Sequence, residues 1–299
     1  MATGVKDIQA IATNTSQNIR QLSSSIQDES IVKWLAPADP TTDYSKAREV
    51  CHAGSGQWLL RCNEYQSWKA GKKSLIWLSG NSGRGKTVLS STIIEDLQRA
   101  SKDQAYTVLY FFFSSVDKKK QSLEDLLRSL AIQLYYDQAN ARPPLVSLYS
   151  ACNDGTKQSS IDSLQGAFHQ MLLAAGNIFV VIDALDEYKA RRDRRHDLLI
   201  WIRGLCETLD NVHLLVTSRP EEDIRSAIQG WTHAEDTIPL STDRTGRDIT
   251  EYVRTEVSRS DRLARWRGHP DVQENIERVL SQKAHGVYGS CLDAVISLR

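Results

Sequence analysis

The sequence predicts an α/β fold in which a parallel β-sheet carries helices on both faces. Short apolar segments alternate with amphipathic ones through the middle of the chain, which is typical of strand–helix–strand units. One of these apolar segments, YTVLYFFFSS, lacks polar alternation, as expected of a strand buried on both faces. The 299 residues suffice for about two domains and a sizeable core.

The predicted elements begin with an amphipathic helix. Between Val5 and Ile26, apolar residues recur at alternating spacings of three and four, although Ala12 and Thr15 weaken the seam. Such a helix either docks on the next domain or contacts another chain or an upstream domain. Prolines in LAPADPTTDY then predict a linker.

Five strands and their connecting helices are predicted next. The strand segments are SLIWLSG, YTVLYFFFSS, NIFVVIDALDEY, NVHLLVTSRP and a short DTIPLS. The first two helices are KTVLSSTIIEDLQRA and QSLEDLLRSLAIQLYYD, the second opened by the capping pair Ser122 and Asp125. A further helix is expected from Ile161 to Ala175, with Gly176 as its C-cap.

After the fifth strand only helical patterns remain, so the C-terminal part is predicted to be a small helical subdomain. We therefore divide the chain into an N-terminal helix with linker (1–36), a lead-in segment (37–73), the α/β domain (74–242) and a helical subdomain (243–299).

Composition excludes several classes of protein. Lysine plus arginine total 37, as do aspartate plus glutamate, so net charge gives no reason to expect a nucleic-acid or membrane partner. The five cysteines form no CxxC pair, which favours reduced thiols in a cytoplasmic protein over a zinc site or a disulfide framework. No apolar run approaches the length of a membrane span, and the N-terminus lacks the apolar core of a signal peptide.

A glycine-rich stretch after the first predicted strand matches the phosphate-loop pattern G-x-x-x-x-G-K-[ST]. Glycines let consecutive amides wrap around phosphate oxygens, and the following helix presents its positive end. Lys86 is predicted to reach the β- and γ-phosphates, and Thr87 to offer its hydroxyl to Mg²⁺. The predicted nucleotide-binding residues are Gly80, Asn81, Ser82, Gly83, Arg84, Gly85, Lys86, Thr87 and Val88. A glycine-rich turn that binds nothing is disfavoured, because pattern and context agree.

Three carboxylates follow the third predicted strand. Asp183 ends that strand, and ligands bind at the carboxyl ends of parallel strands, so we expect it to hold Mg²⁺ through water. Asp186 and Glu187 are candidate catalytic residues, because one of them could polarise a water for attack on the γ-phosphate. The alternative is a solvated acidic turn.

Basic residues add two further candidates. Thr217, Ser218 and Arg219 are predicted just past the fourth strand. Arg219 would either stabilise the charge of the γ-phosphate or form a structural ion pair with an acidic neighbour. The second candidate is a run of arginines, Arg191, Arg192, Arg194 and Arg195. One of them could act as an arginine finger for a neighbouring subunit. The simpler interpretation is that the run is exposed to solvent.

From about Trp34 onward the chain resembles NACHT-type NTPases of the STAND class, and it is most similar to the nephrocystin-like N-terminal domain of fungal NOD-like receptors. The stretches that carry the resemblance are WLAPADPTTDYSKAREVCHAGSGQWLL, YQSWKAGKKSLIWLSGNSGRGKTVLSSTI, YFFFSS, VVIDALDEY and LLVTSRP. A small residue, Ala184, follows the magnesium aspartate, and acids stand three and four places after that aspartate, similar to the NACHT form of this motif.

The resemblance implies switching between a closed, diphosphate-bound state and an open, self-associating one, with an N-terminal effector and C-terminal repeats flanking the switch. A winged-helix domain and repeats would normally follow, so we expect these domains to be missing from this chain. Ser55 in GSGQW departs from the family's usual Gly-Thr-Gly and leaves base preference open, and HGVYGS near His285 replaces a more usual Gly-Met-Phe.

The favoured function is a slow, switch-like NTPase that binds Mg-ATP or GTP and associates with itself on activation. ATP is favoured over GTP, because no N-K-x-D base-reading motif occurs. One alternative is a P-loop phosphotransferase, which would need an acceptor pocket and an arginine-bearing lid. The other is a scaffold that holds nucleotide without turnover, against which Asp186 and Glu187 argue.

Overall fold

A five-stranded parallel sheet organises the chain. The computed structural model describes residues 25–51, 54–71, 74–102, 105–189, 194–241, 246, 248, 250, 254–255, 257–258 and 268–284. The strands are β1 (Leu75–Ser79), β2 (Tyr106–Phe112), β3 (Asn177–Asp183), β4 (Val212–Ser218) and β5 (Thr237–Pro239). Their order is β2-β3-β4-β1-β5, and every neighbouring pair is parallel. The predicted α/β fold is confirmed.

The strands are apolar because the sheet is buried on both faces. Every residue of β1 and β4 is buried. Successive side chains of a strand point to opposite faces. Accordingly, Leu75 and Trp77 belong to one hydrophobic core, and Ile76 and Leu78 belong to the other.

Helices cover both faces. In the described residues they are α1 (25–35), α2 (Thr41–Glu49), α3 (Gln57–Arg61), α4 (Asn63–Lys69), α5 (Lys86–Ala100), α6 (Leu123–Asp137), α7 (Arg142–Ala151), α8 (Ile161–Ala174), α9 (Arg194–Thr208), α10 (Glu222–Gln229) and α11 (Pro270–Ala284). The first core contains side chains of α1, α6, α7, α8, α9 and α10, and the second contains those of α3, α4 and α5. None of these helices is long and apolar enough to cross a bilayer.

Helix ends agree closely with the sequence pattern. Ser122 and Asp125 form the predicted capping box at the start of α6, with the Ser122 hydroxyl accepting from the Asp125 amide at 3.1 Å. Helix α8 ends at Ala174, and Ala175 rather than Gly176 is its C-cap. The predicted and observed ends of α8 differ by one residue, which is the usual spread of helix-boundary assignments.

Residues 25–40 pack against the α/β core. Ile31 and Leu35 are fully buried in it. The segment with the two prolines, predicted to be a linker, is also packed, because Ala38 is buried and its carbonyl accepts from the Ser129 hydroxyl at 3.0 Å. Most of the predicted N-terminal helix lies outside the described residues, as does much of the predicted helical subdomain. The division of the chain at 36, 73 and 242 stays a prediction.

Candidate functional site

The glycine-rich loop joins the carboxyl end of β1 to the start of α5. Gly83 and Gly85 have φ values of +74° and +79°, a backbone region that glycine enters without steric cost. The Lys86 ammonium donates to the carbonyls of Gly80 at 2.7 Å and Asn81 at 3.1 Å. Burial lowers the pKa of Lys86, and the carboxylates of Asp186 and Asp183 oppose this. The lysine is therefore folded back on its own loop.

Gly80 is required for packing. A Cβ atom at this position would lie 2.9 Å from the Cβ of Leu240, which follows β5. The Gly80 amide donates to the Ser218 carbonyl at 3.1 Å and continues the pairing of β1 with β4. Gly80 thus sets where the loop leaves the sheet.

Asp183 is the centre of a hydroxyl cluster. It lies at the end of β3 and is 2% exposed. Its Oδ2 accepts from the Thr87 hydroxyl at 2.7 Å, and its Oδ1 accepts from the Ser90 and Thr217 hydroxyls at the same distance. Burial raises the pKa of Asp183, while the three hydroxyls and Lys86 act to lower it. The structure therefore brings the two predicted magnesium ligands, Thr87 and Asp183, into contact.

The acidic turn after β3 starts from a left-handed residue. Ala184 has a φ of +59°, uncommon for a residue other than glycine. Its amide donates to the Thr217 hydroxyl at 3.0 Å, which ties the turn to β4. A single 3₁₀ turn, Leu185–Glu187, follows and carries both predicted catalytic acids.

Both carboxylate oxygens of Asp186 accept hydrogen bonds from Arg219. The Arg219 amide donates to Oδ1 at 2.9 Å, and its Nε donates to Oδ2 at 2.6 Å. Burial would raise the pKa of Asp186, but these bonds and the charge of Lys86 lower it overall. The ion-pair alternative for Arg219 is the arrangement observed. Thr217 and Ser218 lie within β4 rather than past it, because the strand extends to Ser218.

Unlike Asp186, which pairs with Arg219, Glu187 accepts a hydrogen bond from a backbone amide. Its Oε2 accepts from the Ser115 amide at 2.7 Å, in the loop that follows β2. No hydrogen bond to its other oxygen is found within the described residues, so Glu187 is less constrained than Asp186.

A cavity of about 250 Å³ lies between the glycine-rich loop and the acidic turn. Its lining residues are Ser82, Gly83, Gly85, Lys86, Thr87, Val88, Ala184, Asp186, Glu187 and Arg219. Predicted residues that follow β1, β3 and β4 thus meet in one place. Three predicted residues of the loop, Gly80, Asn81 and Arg84, do not line the cavity. Asp183 does not line it either, but it accepts a hydrogen bond from the lining residue Thr87.

The donor set suits Mg²⁺. A hydroxyl oxygen and a carboxylate are the hard oxygen ligands that this ion prefers, and Mg²⁺ usually keeps several waters. Thr87, which lines the cavity, would supply the hydroxyl ligand. The buried Asp183 would act through water and through Thr87. Among the described residues no cluster of three or more His, Cys, Asp or Glu side chains is arranged to hold a metal without a bound nucleotide.

The arginine run is only partly described. Arg195 pairs with Glu221 at 2.6 Å and Asp223 at 2.9 Å, and it donates to the Asp186 carbonyl at 3.1 Å. Arg195 therefore fixes the acidic turn from within the chain and is not simply solvated. The arginine-finger alternative for the run stays a prediction. Arg191 and Arg192 lie outside the described residues, as does the side chain of Arg194.

The lead-in turn GSGQW packs on α5 beside the loop. Gly54 and Gly56 have φ values of +91° and +77°, and a Cβ at Gly56 would lie 2.9 Å from Leu89 Cδ2. The Gly56 amide donates to Asp248 Oδ2 at 2.7 Å. Burial raises the pKa of Asp248, and the Gly56 bond opposes that change. This bond ties the turn to the C-terminal part of the chain.

Three contacts in or near the candidate site were not expected from the sequence. Ser90 stands three residues after Thr87, so the two share a helix face, and this spacing could have identified it. Arg195 was noted as part of the arginine run, but its contacts and those of Asp248 could not be predicted, because their partners are distant in sequence or lie in a turn of unknown orientation.

Comparisons with known proteins identify the family of the chain. The family described as Nephrocystin 3, N-terminal, matches residues 54–219, more than half of the chain. The vegetative incompatibility protein HET-E-1 of Podospora anserina is 25% identical over 252 residues. That match covers 80% of this chain but only 18% of the relative.

A solved structure, a Walker-type ATPase of Pyrococcus abyssi, is similar at a TM-score of 0.41 and 12% identity, covering 80% of this chain and 71% of that one. The family match includes the glycine-rich loop, the Asp183 strand and Arg219. The parallel sheet, with the glycine-rich loop between β1 and α5, is a P-loop α/β fold, and the family match shows that the chain belongs to the Nephrocystin 3 N-terminal family.

Proposed function

We propose that the chain binds a nucleoside triphosphate with Mg²⁺ at the glycine-rich loop and hydrolyses it slowly. The observation that carries the proposal is the contact between Thr87 at the start of α5 and Asp183 at the end of β3, beside the cavity that Lys86 lines. Loop, lysine, hydroxyl and buried carboxylate are the parts that P-loop NTPases use to bind phosphate and Mg²⁺.

Phosphate binding begins with Lys86. Its ammonium donates to two loop carbonyls, and a phosphate group in the cavity would offer stronger, charged acceptors. Loop amides and the amino end of α5 would face the same phosphates. Thr87, whose hydroxyl donates to Asp183, would hold the magnesium ion. When bound, this ion neutralises charge on the β- and γ-phosphate oxygens.

Glu187 is the better candidate for orienting the attacking water. Both acids line the cavity, but both carboxylate oxygens of Asp186 accept bonds from Arg219, whereas Glu187 accepts a bond from a backbone amide through one oxygen only, among the described residues. Arg219 also lines the cavity and is 47% exposed, so it can contact a γ-phosphate while Asp186 orients it. Asp186 then positions Arg219 rather than acting as a base.

We further propose that turnover serves a switch. HET-E-1 is by its name a vegetative incompatibility protein, and this chain matches about a fifth of its length. We propose that the switch serves self/non-self recognition. A central module of a fungal NOD-like receptor, acting in the cytoplasm and associating with itself when triphosphate is bound, fits both the resemblance and the site. ATP is the expected nucleotide, with GTP as the alternative.

A scaffold that binds nucleotide without turnover is the second candidate. The pairing of Asp186 with Arg219 favours it, because one of the two acids proposed for catalysis is engaged. Nucleotide binding is common to both candidates, and only hydrolysis separates them.

The test is chemical identification of the bound nucleotide. Purified protein is incubated with Mg-ATP or Mg-GTP, freed of excess nucleotide and denatured, and the released nucleotide is identified by chromatography. We expect adenine nucleotide, with diphosphate accumulating over time if turnover occurs. Triphosphate that stays intact would favour the scaffold, and protein that retains no nucleotide under either condition would contradict the proposed function.

A further inference from the structure

We infer that Ser90 and Thr217 are positioning residues that fix the Asp183 carboxylate for Mg²⁺ binding. The inference rests on the proposed function and deepens it, because neither residue lies in the phosphate-loop pattern. It is carried by two hydroxyls that converge on one carboxylate oxygen, each at 2.7 Å.

The hydrogen-bond directions are determined by the donors and acceptors present. The Ala184 amide donates to the Thr217 oxygen, so the Thr217 proton is free to point at Asp183. Ser90 donates to the same Oδ1. A carboxylate oxygen has two lone pairs, so Oδ1 is fully used. Only Oδ2 remains, and it accepts from Thr87.

This arrangement orients the proposed magnesium ligand. The Thr87 proton is directed at Oδ2, which leaves the lone pairs of the Thr87 oxygen free to face the cavity. If the carboxylate rotated, Oδ2 would leave Thr87 and the hydroxyl would lose its orientation. Ser90 and Thr217 oppose that rotation from two different elements, α5 and β4.

Burial makes the two hydroxyls difficult to replace. Ser90 and Thr217 are fully buried, and Asp183 is 2% exposed, so water has little access to the carboxylate. A buried acceptor that loses its donor keeps its full desolvation penalty. Groups that orient a metal ligand typically change metal affinity by about 10–100-fold when removed.

The chain offers matched controls. Ser91 is as buried as Ser90 and lies beside it on α5, but its hydroxyl donates to the Val88 carbonyl. Ser91→Ala therefore removes a buried serine hydroxyl without touching Asp183. Thr217→Val keeps the side-chain shape and removes the hydroxyl, whereas Thr217→Ser keeps the hydroxyl.

The experiment measures magnesium dependence rather than turnover. A fluorescent adenosine diphosphate analogue is titrated into each variant at a series of Mg²⁺ concentrations and in EDTA. We expect Ser90→Ala and Thr217→Val to raise the Mg²⁺ concentration for half-maximal binding by about tenfold or more. Their affinity in EDTA should match that of wild type. Ser91→Ala and Thr217→Ser should resemble wild type in both conditions.

Three outcomes would overturn the inference. If Ser90→Ala shows the same Mg²⁺ dependence as Ser91→Ala while wild type binds nucleotide normally, the inference is wrong and the proposed function still stands. An equal loss of affinity with and without Mg²⁺ would show a general structural role instead. If wild type binds no nucleotide at any Mg²⁺ concentration, the proposed function fails and the inference fails with it. Circular dichroism establishes that each variant is folded.

Discussion

Arg219 and Asp186 form a two-point contact at the edge of the cavity. The backbone amide and the Nε of Arg219 each donate to a different oxygen of Asp186, whose side chain is only 4% exposed. A charged donor with this geometry makes a stronger hydrogen bond than a neutral one. The pair therefore holds the end of β4 to the turn after β3.

The pair should stabilise the fold measurably. In a double-mutant cycle with Asp186→Ala and Arg219→Ala, we expect a coupling free energy of about 1–3 kcal/mol, because the carboxylate is buried and the cycle removes the charged Nε bond to Oδ2, while the Arg219 backbone amide remains in both arginine backgrounds. Urea unfolding of the four proteins gives this value. Arg203 and Glu207, 2.7 Å apart and both about half exposed, provide the control pair. Their coupling should be about 0.3–0.5 kcal/mol, and equal couplings for the two pairs would contradict the structural role.

The two acids of the turn should differ in their effect on hydrolysis. Glu187→Gln should abolish phosphate release while Mg-ATP still binds, because the proposed role of Glu187 is to orient water. Asp186→Asn should retain measurable turnover, since Asp186 acts only by positioning Arg219. Single-turnover phosphate release, with binding measured separately, distinguishes the two. Full activity in Glu187→Gln would show that another group positions the water.

Alanine should destabilise the protein more at Gly56 than at Gly54, although both glycines lie in the lead-in turn. Gly54 and Gly56 both have positive φ, so alanine strains the backbone at each by about 1–2 kcal/mol. Only at Gly56 does the added Cβ also meet Leu89, which should cost about 1–3 kcal/mol more. Chemical unfolding of Gly54→Ala and Gly56→Ala measures the difference. Equal destabilisation would mean that the turn does not pack on α5 as described.

Asp248 should make stability depend on pH. Burial raises its pKa in the folded protein, so above about pH 4, near the ordinary aspartate pKa, the folded state binds more protons than the unfolded state. Stability contributed by this group is then lost as pH rises through the folded pKa. Asp248→Asn cannot titrate, so its melting temperature relative to wild type should increase from pH 4 to pH 7. A constant or shrinking difference would contradict this assignment.

Much of the site could be predicted from sequence because it is contiguous or lies at a strand end. Gly83, Gly85 and Lys86 stand in one motif, and their conformations follow from it. Asp183 was identified because parallel strands present their carboxyl ends at one edge. The five predicted strands and the three helices predicted between them also matched, since their apolar patterns are strong.

Contacts set by sheet order could not be predicted in the same way. Strand β4 lies between β1 and β3, which brings Thr217 to Asp183 and Arg219 to Asp186. Hydrophobic periodicity does not encode that order, so the ion pair and the γ-phosphate role of Arg219 stayed open as alternatives. The bond between Gly56 and Asp248 spans 192 residues and depends on the tertiary packing of segments without a shared motif.

The central claim is that the glycine-rich loop binds the phosphates of a nucleotide through Lys86. Titration calorimetry with Mg-ATP on wild type, Lys86→Ala and Lys119→Ala tests it most directly, because Lys119 is an exposed lysine outside the cavity. Loss of two charge-assisted bonds should weaken binding by on the order of a hundredfold or more in Lys86→Ala. Lys119→Ala should bind as wild type does. Equal affinity for wild type and a folded Lys86→Ala would contradict the account.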